Sequence, residues 1–254
     1  RRRMCGRASI RGAIGSWDGR YRNKMALTGF MLLKVSHKIK QGSRVASMGY
    51  PDILASPKVL EQILGSRAYQ IEYRKDSKSI CKRHGMNYHL VPDAASVFRL
   101  LGAQLDVFDV IKERGCEIIA DLNYPIADKH LGQYDVVMDV GTLEHCFNIA
   151  QAGMNMAGLL GKDGSIFHEN PFNWGNHGFY GLNPTWYYDF YTQNGFELED
   201  CRLLPREGNS INSIPLTERF SFIKGEANLY ACAVRKEIRE LRYPVQTKYK
   251  RALG

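Results

Sequence analysis

With 254 residues, of which 44% are hydrophobic and 24% charged, the chain can bury a full core as one large α/β domain, and its composition excludes wholesale disorder. The formal charge of +9 favours anionic partners, although much of the excess sits at the ends, in Arg1, Arg2, Arg3, Arg7, Arg11, Lys248, Lys250 and Arg251, where charge usually does no more than solvate a terminus. The six cysteines form no CxxC pair, which excludes a zinc ribbon or a disulfide framework and fits a reducing, cytoplasmic setting.

Residues 1–20 are basic and aperiodic and are expected to be irregular. Residues 21–40 carry Leu27, Phe30, Met31, Leu32, Val35 and Ile39 at helical spacing, predicting an amphipathic helix that stops near Gly42. The apolar stretch MALTGFMLLKV (25–35) is too short to span a bilayer and lacks the flanks of a secretion signal. The first residue is Arg rather than Met, as expected at a fragment boundary. RVASMGYPDIL (44–54) reads as a buried strand and a turn. Pro57 then opens a helix that ends at Gly65. Residues 66–92 are the least periodic and read as an insertion. Asp93 caps a helix to Leu101, closed by Gly102.

The pattern then becomes regular. QLDVFDV (104–110), CEIIADL (116–122), YDVVMDVG (134–141) and SIFHEN (165–170) read as strands. Cys116 and Cys232 read as small core residues. A helix is predicted from about Thr142 to Leu160, and a loop over 171–183. A second helix follows over 184–195, in which Trp186 and Phe190 face the core. FELEDCRLL (196–204) and ANLYACAVRK (227–236) are the last strands, with no helix between them. Together these predict a doubly wound, mostly parallel seven-stranded sheet, with helices on both faces and an antiparallel edge strand. The chain divides into a basic N-terminal segment and helix at 1–43 (a possible cap), the α/β domain at 44–236 with its insertion at about 66–92, and a basic tail at 237–254.

The block DLNYPIADKHLGQYDVVMDVGTLEHCFNIAQAGMNMAGLLGKDGSIFHENPF (121–172), followed by HGFYGLNPTWYYDFYTQNGFEL (177–198), resembles the second half of class I, Rossmann-like S-adenosylmethionine-dependent methyltransferase domains. The shared series is an acidic residue after the third strand, a YDVV strand, an LEH helix start, a glycine turn, a fifth strand and an NGFE exit. The resemblance covers roughly 44–236 and is strong over 115–200. It implies S-adenosylmethionine as cofactor and S-adenosylhomocysteine as product. It also implies a cofactor site made of Gly49, Asp109, Asp121, Leu122, Asp139, Val140 and Gly141, with Asp109 preferred to Asp106 as the ribose carboxylate. The first glycine loop departs from the family: only Gly49 matches, and Tyr50, Pro51 and Asp52 follow it, with Asp52 either a displaced carboxylate or a helix cap.

His145, placed by the resemblance near the transferred methyl, and His177, on a loop, are the candidate catalytic bases. Glu144 is expected to point elsewhere, since neighbours on a helix do not face each other. Glu169, Asn173, Trp174 and Tyr180 are candidate substrate contacts at an aromatic-rich mouth. No ligand spacing for a metal is recognisable. The expected partner is a small-molecule or sugar acceptor, methylated at oxygen. A catalytically inactive scaffold protein and an RNA methyltransferase are the alternatives; the dispersed basic residues argue against the latter.

Overall fold

A computed structural model describes residues 26–87, 89–206, 209–212 and 223–250. The expectations for the basic N-terminal stretch, and for Arg251, lie outside the described residues.

Short apolar runs make the sheet. β2 (Arg44–Met48), β4 (Gln104–Asp109), β5 (Ile118–Ile119), β6 (Tyr134–Val140) and β7 (Leu160–Pro171) run parallel in the order β5-β4-β2-β6-β7. β10 (Ala227–Arg235) then pairs antiparallel with β7 and with β8 (Phe196–Pro205), and β9 (Ile211–Asn212) adds a short outer strand. The sheet is therefore the expected doubly wound one, with an eighth strand of two residues beyond the predicted seven. The order reverses between β2 and β6, and this switch point opens a crevice at the carboxyl ends of the strands.

Alternation along each strand sends side chains to opposite faces. Val45, Val136, Met138 and Phe167 pack against α1 (Gly29–Ser36), α2 (Pro57–Leu64) and α4 (Ala94–Leu100). Ala46, Val137, Ile166 and Leu203 pack against α5 (Ile149–Leu159) and α6 (Pro184–Gln193), with Trp186 stacked on Phe190 as expected. Asp93 caps α4 as expected, Pro57 and Pro184 occupy the first turns of α2 and α6, and Ser56 and Asn183, not read as caps from the sequence, accept backbone N–H groups there.

Several boundaries differ from expectation. The first helix is only α1, preceded by β1 (Leu27–Thr28), which pairs with β3 (Ile53–Leu54) in a separate two-stranded sheet. The apolar run at 116–122 gives only the two residues of β5, at the edge of the sheet where one strand pairs with it; Cys116 is exposed, not core, whereas Cys232 is buried. The helix expected from Thr142 begins at Ile149, after a 3-10 turn at Leu143–His145. β7 starts at Leu160, earlier than predicted.

The described part of residues 66–92 is folded, with α3 (Ser77–Arg83) burying Ile80 and Cys81 against Val91. Asp52 anchors it: the carboxylate meets Arg74 at 3.5 Å, Arg83 at 2.6 Å and His84 at 3.0 Å. Burial pushes its pKa up, but the His84 hydrogen bond and the Arg83 charge outweigh this and hold it below the usual carboxylate value. The C-terminal segment is not simply solvated: Asn194 and Gln193 bind the carbonyls of Arg242 and Val245, and Asp189 receives Thr247 at the start of α7 (Thr247–Lys250). No described helix is long and apolar enough to cross a membrane.

The α5–α6 contact depends on a missing side chain. A Cβ on Gly153 would lie 2.7 and 2.9 Å from two atoms of the Trp186 ring. Gly153→Ala is expected to lower stability through overpacking of about 1–3 kcal/mol, only partly offset by about 1 kcal/mol of helix propensity. Urea denaturation reads this; an unchanged or raised midpoint would mean that the Trp186 ring has room to move.

Candidate active site at the switch point

The site begins where β6 ends. Asp139 is fully buried, and Gly141 takes a φ of 82° in which a Cβ is costly. The chain can therefore double back, and one Asp139 oxygen accepts the N–H groups of Thr142 and Leu143 at 2.9 and 3.1 Å. The other oxygen meets His168 Nδ1 at 2.7 Å and Asn170 Nδ2 at 2.9 Å. With Nδ1 facing a carboxylate, His168 Nε2 is left to accept from the Tyr191 hydroxyl at 2.5 Å. The Tyr187 hydroxyl donates to the Asn170 carbonyl. Burial raises both tyrosine pKa values well above normal, which suits neutral hydroxyl donors.

Asn170 also donates to Glu144 Oε2 at 2.9 Å. Because Leu143–His145 is a 3-10 turn rather than α-helix, Glu144 and its neighbour do converge, contrary to the expectation from helical geometry. Glu144 Oε1 lies 3.8 Å from His145 Nε2 and 3.5 Å from His177 Nε2. The glutamate side chain is fully buried, while those of His145 and His177 are 48% and 29% exposed. Burial, then the Asp139 charge, pushes the Glu144 pKa up to about 8. Burial and the neighbouring His145 lower that of His177. The 171–183 loop is pinned here: Phe179 and Tyr180 donate backbone N–H groups to the Glu144 carbonyl, and a Cβ on Gly178 would sit 2.8 Å from that carbonyl oxygen.

Beside this cluster lie the carboxyl ends of β2 and β4. Gly49 has a φ of 78°, and a Cβ there would point to Asp109 Oδ2 and Thr142 Oγ1, each at 4.0 Å. Thr142 in turn donates to the Met48 carbonyl at 2.9 Å, joining the ends of β2 and β6. Asp109 is partly exposed at the end of β4. Asp106 is already engaged by Arg44 at 3.0 Å and Tyr134 at 2.9 Å, further back along the strand. Asp121 is exposed, and one of its oxygens receives the backbone and side chain of Asn123. Asn155 secures the same loop through the carbonyls of Leu122 and Tyr124.

Gly49, Asp109, Val140, Gly141, His145 and His177 thus lie around the strand ends. Asp139 is spent on internal hydrogen bonds rather than open to a ligand. Glu169 is not brought to the cluster: it lies on the sheet face opposite His168 and Asn170, buried, and receives Asn228 at 2.9 Å. Asn173 ties its loop to Gly225 and Ala227, and Tyr180 donates to the Phe147 carbonyl at 2.8 Å. Trp174 packs edge-on against His177 with ring centroids 5.0 Å apart. Thr142 and Phe147 were not picked out by sequence. Phe147 is 70% exposed and edge-on to Phe179, which is 63% exposed; the LEH turn beside it was the available signal. Elsewhere, a cavity of about 480 Å³ bordered by Pro125, Met154, Gly158, Arg235 and Leu241 lies on the flank of α5, away from this chemistry.

No family model matches the chain, and no curated protein does. Among solved structures, it is similar to the Burkholderia thailandensis 1,6-didemethyltoxoflavin-N1-methyltransferase, bound to 1,6-didemethyltoxoflavin and S-adenosylhomocysteine, at 12% identity over 82% of this chain and 77% of that one, with a TM-score of 0.44. It is similar to the CurJ carbon methyltransferase at 10% identity, over 82% and 52% of the two chains, with a TM-score of 0.46. It also resembles the CalH methyltransferase in complex with S-adenosylhomocysteine at 16% identity, over 80% and 54%, with a TM-score of 0.44. At such values the fold class rests on the strand order of this chain itself.

Glu169 gives the site's surroundings a pH signature. Burial raises its pKa from 4.5 to about 7 in the folded chain. The folded state then holds a proton that the unfolded chain releases, so this contribution to stability is full below about pH 4.5 and is lost as pH rises through 7. Glu169→Gln should flatten the fall in stability between these values. Denaturation midpoints measured across that range check it, and an equal slope in the variant would overturn the assignment.

Proposed function

We propose that the protein is an S-adenosylmethionine-dependent methyltransferase acting on an oxygen of a small hydroxylated acceptor, such as a glycan building block. The observation that carries this reading is the convergence of Gly49, Asp109 and Thr142 at the switch point of the sheet, directly beside the Glu144–His145–His177 cluster. The residues fit such a cofactor in two respects. The space that a Gly49 Cβ would enter faces a carboxylate and a hydroxyl, and Asp109 keeps its Oδ2 for ribose hydroxyl donors, while Oδ1 accepts the Ile111 N–H at 3.3 Å. When bound, S-adenosylmethionine supplies a methyl group on a sulfonium, activated for in-line displacement.

The chain's own residues would do the rest. Asp121, after β5, would accept from an adenine amino group. Val140 and Gly141 would let the backbone approach the methionine portion closely. Proximity and exclusion of water provide most of the acceleration in such a reaction, and Phe147, Phe179 and Trp174 make an apolar rim that suits a ring-shaped acceptor. An alcohol must also lose its proton. His145 and His177 stand at the mouth to accept it, with the buried Glu144 orienting them.

A second reading, a methyltransferase-fold binding protein without catalysis, draws support from Asp52. Asp52, in the irregular glycine loop, is committed to Arg74, Arg83 and His84 instead of a ligand. Calorimetric titration with S-adenosylmethionine and S-adenosylhomocysteine separates the two readings. Micromolar binding is expected, weakened at least tenfold by Asp109→Ala, about 1.4 kcal/mol, and unchanged by Asp106→Asn. No binding by the folded protein would overturn the enzyme reading in favour of the second.

A further inference from the structure

We propose that Glu144, His145 and His177 form a binding site for one divalent transition-metal ion of the zinc class. One ligand atom from each side chain lies within 4.8 Å of the others, with Glu144 Oε1 at 3.8 Å from His145 Nε2 and 3.5 Å from His177 Nε2. A tetrahedral ion with bonds of about 2.0–2.2 Å holds its ligands roughly 3.3–3.5 Å apart. Closing the set on an ion therefore needs only small rotations of the two histidine side chains, which are the exposed members.

The carboxylate provides the independent observation. Glu144 is fully buried, its Oε1 has no hydrogen-bond partner among the described residues, and neither does His177 Nε2. An unpaired buried carboxylate oxygen aimed at two imidazoles is expensive to maintain, and a cation between them satisfies all three groups at once. The remaining oxygen, Oε2, is already held by Asn170 Nδ2, which is itself fixed by Asp139 and Tyr187. That is the outer-shell support by which a metal-ligating carboxylate is oriented. Two imidazoles and one carboxylate suit zinc and neighbouring ions better than magnesium or calcium, which prefer all-oxygen sites.

Chain spacing gives no hint of this set, because His177 arrives on a separate loop. The loop is positioned by the backbone hydrogen bonds from Phe179 and Tyr180 to the Glu144 carbonyl and by the edge-on Trp174 ring. Three protein ligands leave a fourth position for water or an acceptor hydroxyl, whose proton the ion would make easier to lose to solvent; with the ion bound, His145 and His177 are ligands in place of proton acceptors. That role rests on the methyl-transfer reading; the binding site does not.

The test uses the full chain after chelator treatment, with no adenosyl compound present. Zinc titration calorimetry and elemental analysis are expected to give one equivalent with micromolar or tighter affinity. His177→Ala and His145→Ala should each weaken it at least tenfold, while Cys116→Ser, at the exposed cysteine, leaves it unchanged. Cobalt substitution should give visible bands of a nitrogen- and oxygen-ligated ion without thiolate charge transfer. No uptake by wild-type protein that is folded by circular dichroism, or uptake that survives both histidine variants, overturns the proposal. Loss of adenosyl binding with zinc binding intact would instead count against the methyl-transfer reading alone.

Discussion

A carboxylate with no access to water organises this end of the molecule. Burying a charge is costly unless it is fully hydrogen-bonded, and Asp139 meets that condition by drawing in the turn after β6, His168 and Asn170 together. Each partner passes the constraint on. His168 reaches Tyr191 and Asn170 reaches Tyr187, so α6 is tied to β7 by polar contacts inside an otherwise apolar layer. Asn170 also reaches Glu144, so the same network sets the carboxylate that faces the two histidines. The satisfied part of such a network tends to specify one arrangement. Its unsatisfied end, Glu144 Oε1, is the part open to a ligand.

The altered loop after β2 has a physical account of its own. Doubly wound sheets commonly use glycines there so that backbone can approach a ligand. Here the loop has one glycine, Gly49, and Tyr50 and Asp52 turn away to bind other parts of the chain. The Tyr50 hydroxyl donates to Asp93 and accepts the Ala95 N–H, holding the start of α4. Arg74 and Arg114 lie over its ring, with their guanidinium carbons 5.4 and 4.4 Å from the centroid. Asp52 fastens the end of α3 through Arg83 and His84. The loop thus serves as a structural anchor for residues 74–84.

Much of the architecture was legible from periodicity and punctuation. The strands at 44–48, 104–109 and 134–140 stood out as apolar runs, and Pro57, Asp93 and Pro184 marked helix starts, the prolines by their fixed φ and missing N–H and Asp93 by the N–H it can accept. An apolar run signals burial by neighbours not yet known, so CEIIADL read as a seven-residue strand although the sheet ends there and Ile119 remains 57% exposed. Residues 66–92 showed little periodicity because their small core is just Ile80, Cys81 and Val91, with Met86 packed against it.

The amino-acid sequence by itself determined the succession of strands and helices, the glycines at turns where a side chain is costly, and hence the place where a crevice opens. These are local matters, settled by residue spacing and backbone sterics. Which acidic groups face that crevice was decided only by the tertiary structure. Asp106 and Asp109 carry the same side chain three residues apart in one strand, yet one is consumed by Arg44 and Tyr134 and the other keeps an oxygen at the strand end. Glu169 and His168 are neighbours in sequence, and the pleat sends them to opposite faces of the sheet. Glu144 and His177 meet because a 3-10 turn and a distant loop share backbone hydrogen bonds. Such pairings depend on strand order and loop docking, which bring together residues whose separation along the chain carries no sign of the contact.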